Sequence, residues 1–378
     1  MNFYMPTKVY FGKDVVSRFG KEVTKYGKKP LIVTGQTSAI KSGVLDDLLP
    51  ILNEHDIKYV IFNNVEENPD ILSIEKGRDA FLGNSVSKGI NETMTSDNSC
   101  DFIIAVGGGS PLDAGKAISL MTANNLCAHD IYNSTLHKKG FPIIAIPTTS
   151  GTGSEVTPYS VLSNNESKLK AGFGNELMFP KLALLDPKYT LSLSKTVTRD
   201  TAIDALSHLL EGLYSNKYNQ FLLPLIYTGV KIIYENLSEC LKNLDEITFR
   251  QNLMLASNYG GIVIAHTSTT LQHSIGYPLT TEFGLSHGLA NGVVMKEIID
   301  MYEPHIKNRI DGLFQFVNIS KKQFLDWLES FDMKFEKIID DDFIQKRVPE
   351  VMSSRNMMLN PCTVSSDDII NIYRKISH

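Results

Sequence analysis

The chain has 378 residues, 42% of them hydrophobic and 21% charged, enough apolar material for two or three domains with substantial cores. A formal net charge of −5, with no Lys/Arg run, gives no electrostatic basis for nucleic-acid binding. The best apolar stretch, 221–234, is interrupted by Pro224 and Lys231, and the N-terminus has no charged leader followed by an apolar run. Neither a membrane span nor a secretory signal is expected. Cys100, Cys127, Cys240 and Cys362 are scattered without a CxxC pair, which reads as reduced thiols in a cytoplasmic protein.

In chain order, residues 29–35 read as a strand ending in a loop. Residues 44–55 then have helical spacing, with Leu45, Leu48, Leu49 and Leu52 on one side. A second short strand is expected at 59–62, and a third from Asp101 running into Gly107, Gly108 and Gly109. A helix over 113–121 and a fourth strand at 142–147 follow. Alternation of strand and helix predicts a parallel, doubly wound, Rossmann-like α/β domain, and runs such as 143–146 fit strands buried on both faces. The polar, Ser/Asn-rich segment 83–98 reads as a surface loop or an extended helix. From Val197 onward the period is helical, apart from 272–292. The predicted organisation is therefore an α/β domain over 1–188 and an all-α domain over 189–378.

Two segments carry nucleotide chemistry. Gly107, Gly108, Gly109 and Ser110 close a strand and open a helix containing Asp113 and Lys116. Glycines admit a pyrophosphate close to the backbone, and a helix N-terminus offers N–H groups to it. The spacing is neither GxGxxG nor a Walker A loop. Residues 147–155, with Thr148, Thr149 and Thr152, place hydroxyls and glycines after the fourth strand, at the sheet edge where ligands of open α/β sheets bind.

A metal signal lies further on. Residues 201–211 read as an amphipathic helix with Ile203, Leu206, Leu210 and Leu213 as its apolar stripe, and Asp204 and His208 are four apart. That spacing puts a carboxylate and an imidazole on one helical face, a pair suited to a divalent first-row metal. His273 and His287 follow, each unremarkable alone. His266 precedes His273 by seven residues, roughly on the same helical face, and is expected to line the pocket rather than to ligate.

Together these segments resemble the iron-containing (group III) alcohol dehydrogenase family along nearly the whole chain. The resemblance is carried by residues 6–12, Gly107–Ser110 with Asp113 and Lys116, residues 147–155, residues 185–187, and Asp204/His208 with His273 and His287. Asn360-Pro361 and residues 366–369 add to it. The resemblance implies a dehydroquinate synthase-like architecture that binds NAD or NADP in the α/β domain and Fe²⁺, sometimes Zn²⁺, in the helical one, with the cleft between them as active site. It makes Asp204, His208, His273 and His287 the four metal ligands. Gly108, Gly109, Ser110, Thr148, Thr149 and Thr152 become cofactor contacts, and Lys170, ten residues before Pro180, takes the place of the family's cofactor-contacting lysine. A small alcohol or aldehyde as substrate and a homodimer or larger homo-oligomer are implied as well.

Two positions depart from the family pattern. Many NAD-preferring members carry an Asp after the first strand of this region, where Gly35 stands here with Thr37 and Ser38 following. Without that charge to repel a 2′-phosphate, an NADP(H) preference is expected. Many members also carry a His four residues after the third ligand, where this chain has Tyr277, and a phenol with its ordinary pKa of about 10 is a poor base near neutral pH. The alternatives within the same architecture are a dehydroquinate synthase-like lyase and a zinc glycerol dehydrogenase-like enzyme.

Overall fold

The computed structural model describes residues 3–84, 99–164 and 169–377. Its contacts divide the chain into a sheet unit, Met5–Leu193 with Asp245–Met254, and a helical unit formed mainly by Ser194–Leu244 and Leu255–His378. The sheet unit thus runs five residues past the boundary expected at 188 and also takes in 245–254, where Met254 packs against Ala183 and Leu185.

The strands are β1 (Lys8–Phe11), β2 (Pro30–Gly35), β3 (Val60–Val65), β4 (Phe102–Gly107), β5 (Ile143–Pro147), β6 (Tyr159–Asn164), β7 (Leu169–Gly174) and β8 (Leu182–Leu185). Six of them form one parallel sheet in the order β1-β8-β5-β4-β2-β3. Helices α1 (Val15–Phe19), α2 (Ser38–Lys41), α3 (Val44–Glu54), α4 (Ile71–Phe81) and α5 (Gly109–Ala123) belong to this unit. Alternation of side chains along each strand explains the two faces. Ile32, Ile104, Val106, Ile144 and Ile146 pack with Val15 and Val16 of α1 and with Val44, Leu48 and Leu52 of α3. Leu31, Val33, Ile103, Ala105 and Ala145 pack instead with Ile71 and Ile74 of α4 and with Leu112 and Ala117 of α5. Every residue of β4, β5 and β8 is consequently buried.

From β2 the chain first goes out to β3 and then returns to β4 on the opposite side of β2. The sheet therefore has a switch point between β2 and β4, and their carboxyl ends are Gly35 and Gly107. Open parallel sheets bind ligands at such a point.

The sheet unit differs from the sequence expectation in several elements, α1, α2 and β8 being additions to it. Helix α5 starts at Gly109 rather than 113, because Pro111 lies in its first turn, where the missing N–H has no intrahelical partner to lose. Helix α4, started by Asp70 whose side chain accepts from the Leu72 N–H, is an addition to the expected elements. So is the antiparallel hairpin β6–β7. The expected loop or extended helix at 83–98 falls, from residue 85 on, outside the described residues.

The helical unit contains α6 (Lys195–Tyr214), α7 (Leu223–Lys242), α8 (Ile247–Thr267, its first turns counted with the sheet unit), α9 (Leu271–Phe283), α10 (His287–Val317), α11 (Lys321–Glu329), α12 (Asp341–Ser353) and α13 (Ser366–Ile376). The segment 272–292, the expected exception to helical structure, is helical through α9 despite Pro278, and again from His287. Helix α6 is not amphipathic over its second half: every residue from Ala202 to Tyr214 is buried. No described helix is long and apolar enough to cross a membrane, and no disulfide joins the four cysteines.

Glycines set the spacing of these helices. A methyl group at Gly212 would overlap Val263, one at Gly276 would overlap the Asn291 side chain, and one at Gly288 would overlap the Asp200 carbonyl oxygen. Gly284, by contrast, has open space around its Cβ position but a φ of +69°. Gly288→Ala meets backbone, which cannot rotate away, so it should cost about 3 kcal/mol, the upper part of the overpacking range. Gly284→Ala should cost only the left-handed backbone strain of about 1–2 kcal/mol. Urea unfolding of the two variants tests this, and the reverse order would refute it.

Candidate metal centre

Helix α6 is started by Ser194, whose hydroxyl accepts from the Val197 N–H. Two turns further on, Asp204 and His208 lie on one buried face, with Asp204 Oδ1 3.9 Å from His208 Nε2. His273, in the first turn of α9, brings its Nε2 to 3.7 Å from the same oxygen. His287, the first residue of α10, does likewise at 3.7 Å. The donor atoms of Asp204, His208 and His273 all lie within 4.8 Å of one another. These three side chains are buried, whereas that of His287 is 26% exposed.

The His208 and His273 rings stack at 4.9 Å, and the Tyr277 ring lies parallel to that of His287 at 5.6 Å. Four donors held at about 2.0–2.2 Å around a tetrahedral first-row cation are about 3.5 Å apart. The three spacings from Asp204 Oδ1 to the imidazole nitrogens are close to that value, and the donors that all lie within 4.8 Å of one another are those of Asp204, His208 and His273. One oxygen and three imidazole nitrogens suit Fe²⁺ or Zn²⁺.

Sequence reasoning misses two residues of this cluster. The Asn291 amide nitrogen is 3.1 Å from Asp204 Oδ1, 3.2 Å from His273 Nε2 and 3.5 Å from His287 Nε2. The Glu211 carboxylate accepts from Thr270 N at 2.6 Å, from Thr270 Oγ1 at 2.9 Å and from His273 N at 3.3 Å, and its other oxygen pairs with His273 Nδ1. Helical spacing is the available signal: Asn291 is four residues after His287, and Glu211 is three after His208 and seven after Asp204. Burial opposes ionisation of Asp204, but His208, His287, His273 and the Asn291 amide outweigh it and hold its carboxyl below the usual range. Glu211 is held low in the same way, burial being outweighed first by His273.

His266, expected to line the pocket rather than to ligate, is not among the donors of this cluster. It ends α8, with Nδ1 2.7 Å from the Ile262 carbonyl; its Nε2 accepts from the Tyr4 N–H at 3.0 Å and its ring stacks on Phe3. Ser268, with φ +55°, breaks the chain direction between α8 and α9, so the seven-residue spacing to His273 does not follow one helix.

In the sheet unit the two expected cofactor loops meet. A Cβ on Gly108 would lie 3.1 Å from Thr149 Cγ2, and one on Gly109 would lie 2.7 Å from Thr152 Cγ2. Thr148 N donates to the Gly107 carbonyl at 2.9 Å, and Gly107 has a φ of +145°, open mainly to glycine. Gly108 caps α5 with no side-chain bond, so the cap position leaves the first N–H groups of that helix without a side-chain acceptor from it.

Ser110 Oγ accepts from Asn68 N at 3.2 Å, and Lys170 Nζ donates to Asn68 Oδ1 at 2.7 Å. Asn68, another residue the sequence does not single out, thus joins those two. Gly35, Thr37 and Ser38 follow β2, with Thr37 capping the short α2. Asp113, expected at the cofactor, has both oxygens engaged internally, by Ser154 Oγ at 2.6 Å and Val161 N at 2.9 Å. Lys116, fully buried, donates to Ser154 Oγ, Thr157 Oγ1 and the Tyr159 carbonyl, and burial pushes its pKa down to about 8.

Comparison with known proteins agrees with both halves. The sequence pattern described as iron-containing alcohol dehydrogenase matches residues 6–187, and that of the Fe-containing alcohol dehydrogenase family, C-terminal, matches residues 198–377. The 1,3-propanediol dehydrogenase of Citrobacter freundii is 29% identical over 303 residues, covering 79% of this chain and 74% of that protein. The NADH-dependent butanol dehydrogenase A of Clostridium acetobutylicum is 29% identical over 304 residues, covering 78% and 73%. The crystal structure of an iron-containing alcohol dehydrogenase from Thermotoga maritima superposes with a TM-score of 0.90 at 36% identity, over 100% of this chain and 99% of that one. With a buried Asp–His–His donor cluster, a glycine-ended switch point and matches along both units, the chain belongs to the iron-containing alcohol dehydrogenase family.

Proposed function

We propose that this chain is a metal-dependent alcohol dehydrogenase that interconverts a small primary alcohol and its aldehyde with a nicotinamide dinucleotide. The observation that carries the reading is the convergence of His208, His273 and His287 on Asp204 Oδ1 at 3.7–3.9 Å. Asp204, His208, His273 and His287 are the residues that would hold the cation, with Fe²⁺ the family's metal and Zn²⁺ chemically acceptable to the same donors. When bound, the cation supplies Lewis acidity to the alcohol or carbonyl oxygen, and the dinucleotide supplies or accepts the hydride.

The residues around these groups bind and orient. Gly107, Gly108, Gly109 and Ser110, with the N-terminus of α5, are assigned to the pyrophosphate; Thr148, Thr149, Thr152 and Lys170 to further cofactor contacts. Tyr277, parallel to His287, is assigned to the substrate side as a hydrogen-bond donor rather than a base. The reaction is aldehyde + NAD(P)H + H⁺ ⇌ alcohol + NAD(P)⁺. A lyase of the dehydroquinate synthase type is disfavoured: it would use Glu with two His and several basic groups for a phosphate, and residues 266–292 hold no Lys or Arg. Four scattered cysteines without a CxxC pair support a reducing, cytoplasmic setting, and the family relationship supports a homodimer or larger assembly.

Cofactor choice is assigned to the turn after β2. Gly35 offers no carboxylate against a 2′-phosphate, and Thr37 and Ser38 offer hydroxyl donors, so NADP(H) is preferred. Three relatives are named for NADH or NAD, the butanol dehydrogenases A and B and a methanol dehydrogenase, so the assignment to NADP(H) rests on the turn after β2 alone.

Two experiments test the reading. Protein reconstituted anaerobically with Fe²⁺ should oxidise NADPH with short aldehydes, and Asp204→Ala should lose bound metal and turnover together. Full activity in a metal-free Asp204→Ala protein would sink the scheme. Gly35→Asp should move the NADPH/NADH ratio of kcat/KM toward NADH by roughly tenfold, equivalent to about 1.4 kcal/mol of charge repulsion. A wild-type kcat/KM already tenfold better with NADH would overturn the NADP(H) assignment.

A further inference from the structure

Glu211 is fully buried on α6 and serves two partners with one carboxylate. Its Oε1 accepts from the main-chain N–H and hydroxyl of Thr270 and from the main-chain N–H of His273. These groups belong to the N-cap and first turn of α9, whose side-chain cap is otherwise absent, so the carboxylate supplies both hydrogen bonds and a charge favourable to the helix N-terminus. Its Oε2 takes the remaining ring nitrogen of the same turn, His273 Nδ1.

A carboxylate accepting at Nδ1 fixes the proton there and leaves the Nε2 lone pair on the opposite side of the ring. Nε2 is the atom 3.7 Å from Asp204 Oδ1 and 3.2 Å from the Asn291 amide donor. We infer that Glu211 is a positioning residue of the metal centre, holding His273 in the tautomer and orientation that presents Nε2 to a divalent cation while clamping the start of α9 to α6. This rests on the reading of Asp204, His208, His273 and His287 as cation ligands. Partners of ligating imidazoles act by locking the ring and strengthening its donor nitrogen, and their loss weakens metal affinity about 10- to 100-fold.

Carboxylate-as-cap and carboxylate-as-ligand-holder are separable. Glu211→Gln keeps the shape but removes the charge. Thr270→Val removes one cap hydrogen bond and leaves the His273 pair intact. Zn²⁺ affinity of the full chain, measured by chelator competition beside thermal unfolding, should fall about 10- to 100-fold in Glu211→Gln. In Thr270→Val the melting temperature should drop while Zn²⁺ affinity stays unchanged. A folded Glu211→Gln protein with wild-type Zn²⁺ affinity would overturn the inference and leave the ligand assignment standing; a wild-type chain that binds no Zn²⁺ would overturn both.

Should Glu211→Gln fail to fold, the Zn²⁺-loaded wild type still tests the inference. Nitrogen-15 NMR should find the His273 Nδ1 proton far downfield and slow to exchange with water. Rapid exchange of that proton would overturn the inference.

Discussion

The helical unit is organised around one electrostatic demand: two carboxylates, Asp204 and Glu211, are buried seven residues apart on the same helix. An isolated buried carboxylate costs several kcal/mol even after the protein relaxes, so each must be met by donors or cations. Glu211 is met by the start of α9. Asp204 accepts from the Asn291 amide; the three imidazole Nε2 atoms that face it at 3.7–3.9 Å offer it no N–H when neutral and protonated on Nδ1, so the remaining demand is for a cation. With neutral imidazoles the cluster carries two negative charges, which one divalent cation balances. That count favours a 2+ ion over a monovalent one, on grounds separate from donor softness.

Meeting this demand requires helices closer together than ordinary side chains allow. Gly260 of α8 stands over α6, where a Cβ would come within 3.2 Å of the Ala205 carbonyl oxygen and 3.3 Å of His208 Cβ. Gly276 yields to Asn291, and Gly288 yields to the Asp200 backbone next to His287. The Ser286 hydroxyl, bonded to the Asp200 carboxylate, ties the start of α10 to α6 at the same place. Small residues at these crossings and polar clamps at the helix starts are thus two halves of one device. Together they bring donors from three helices to a single carboxylate oxygen.

Much of this is legible in the sequence. The glycines ending β4, the hydroxyls after β5 and the Asp204/His208 pair each follow from local rules, and the sheet reading comes from β-rich runs of which β4 and β5 are buried on both faces while β3, at the sheet edge, is partly exposed. The expectations that fail do so for identifiable reasons. The helix expected at 113 begins four residues earlier, with Pro111 in its first turn, and the segment set apart at 272–292 is helical with Pro278 inside α9. The seven-residue spacing of His266 and His273 suggests one helix, and a single left-handed residue, Ser268, ends that helix first. Glu211 and Asn291 escape notice because acidic and amide residues at helical spacing are common on exposed faces. Here the face is buried: the stripe read for α6 is apolar on one side, while the real helix is buried all round.

Asp113 and Lys116 show that a motif can carry structure as well as chemistry. Both stand in the glycine segment that points to nucleotide binding, yet their polar groups are largely spent inside the protein. The ammonium of Lys116 has three donors and finds three acceptors, Ser154, Thr157 and Tyr159, while Asp113 takes Ser154 and Val161. The reason lies in the composition of 147–155. A loop of glycines and small hydroxyls has almost no apolar surface with which to hold its own conformation, so order must come from outside it. The first two turns of α5 supply that order through a buried ion pair with saturated hydrogen bonds. The same helix presents its N-terminal N–H groups beside Thr149 and Thr152. The residues that fix the hydroxyl loop and those proposed to hold the cofactor phosphates therefore sit on one helix start, within ten positions of sequence.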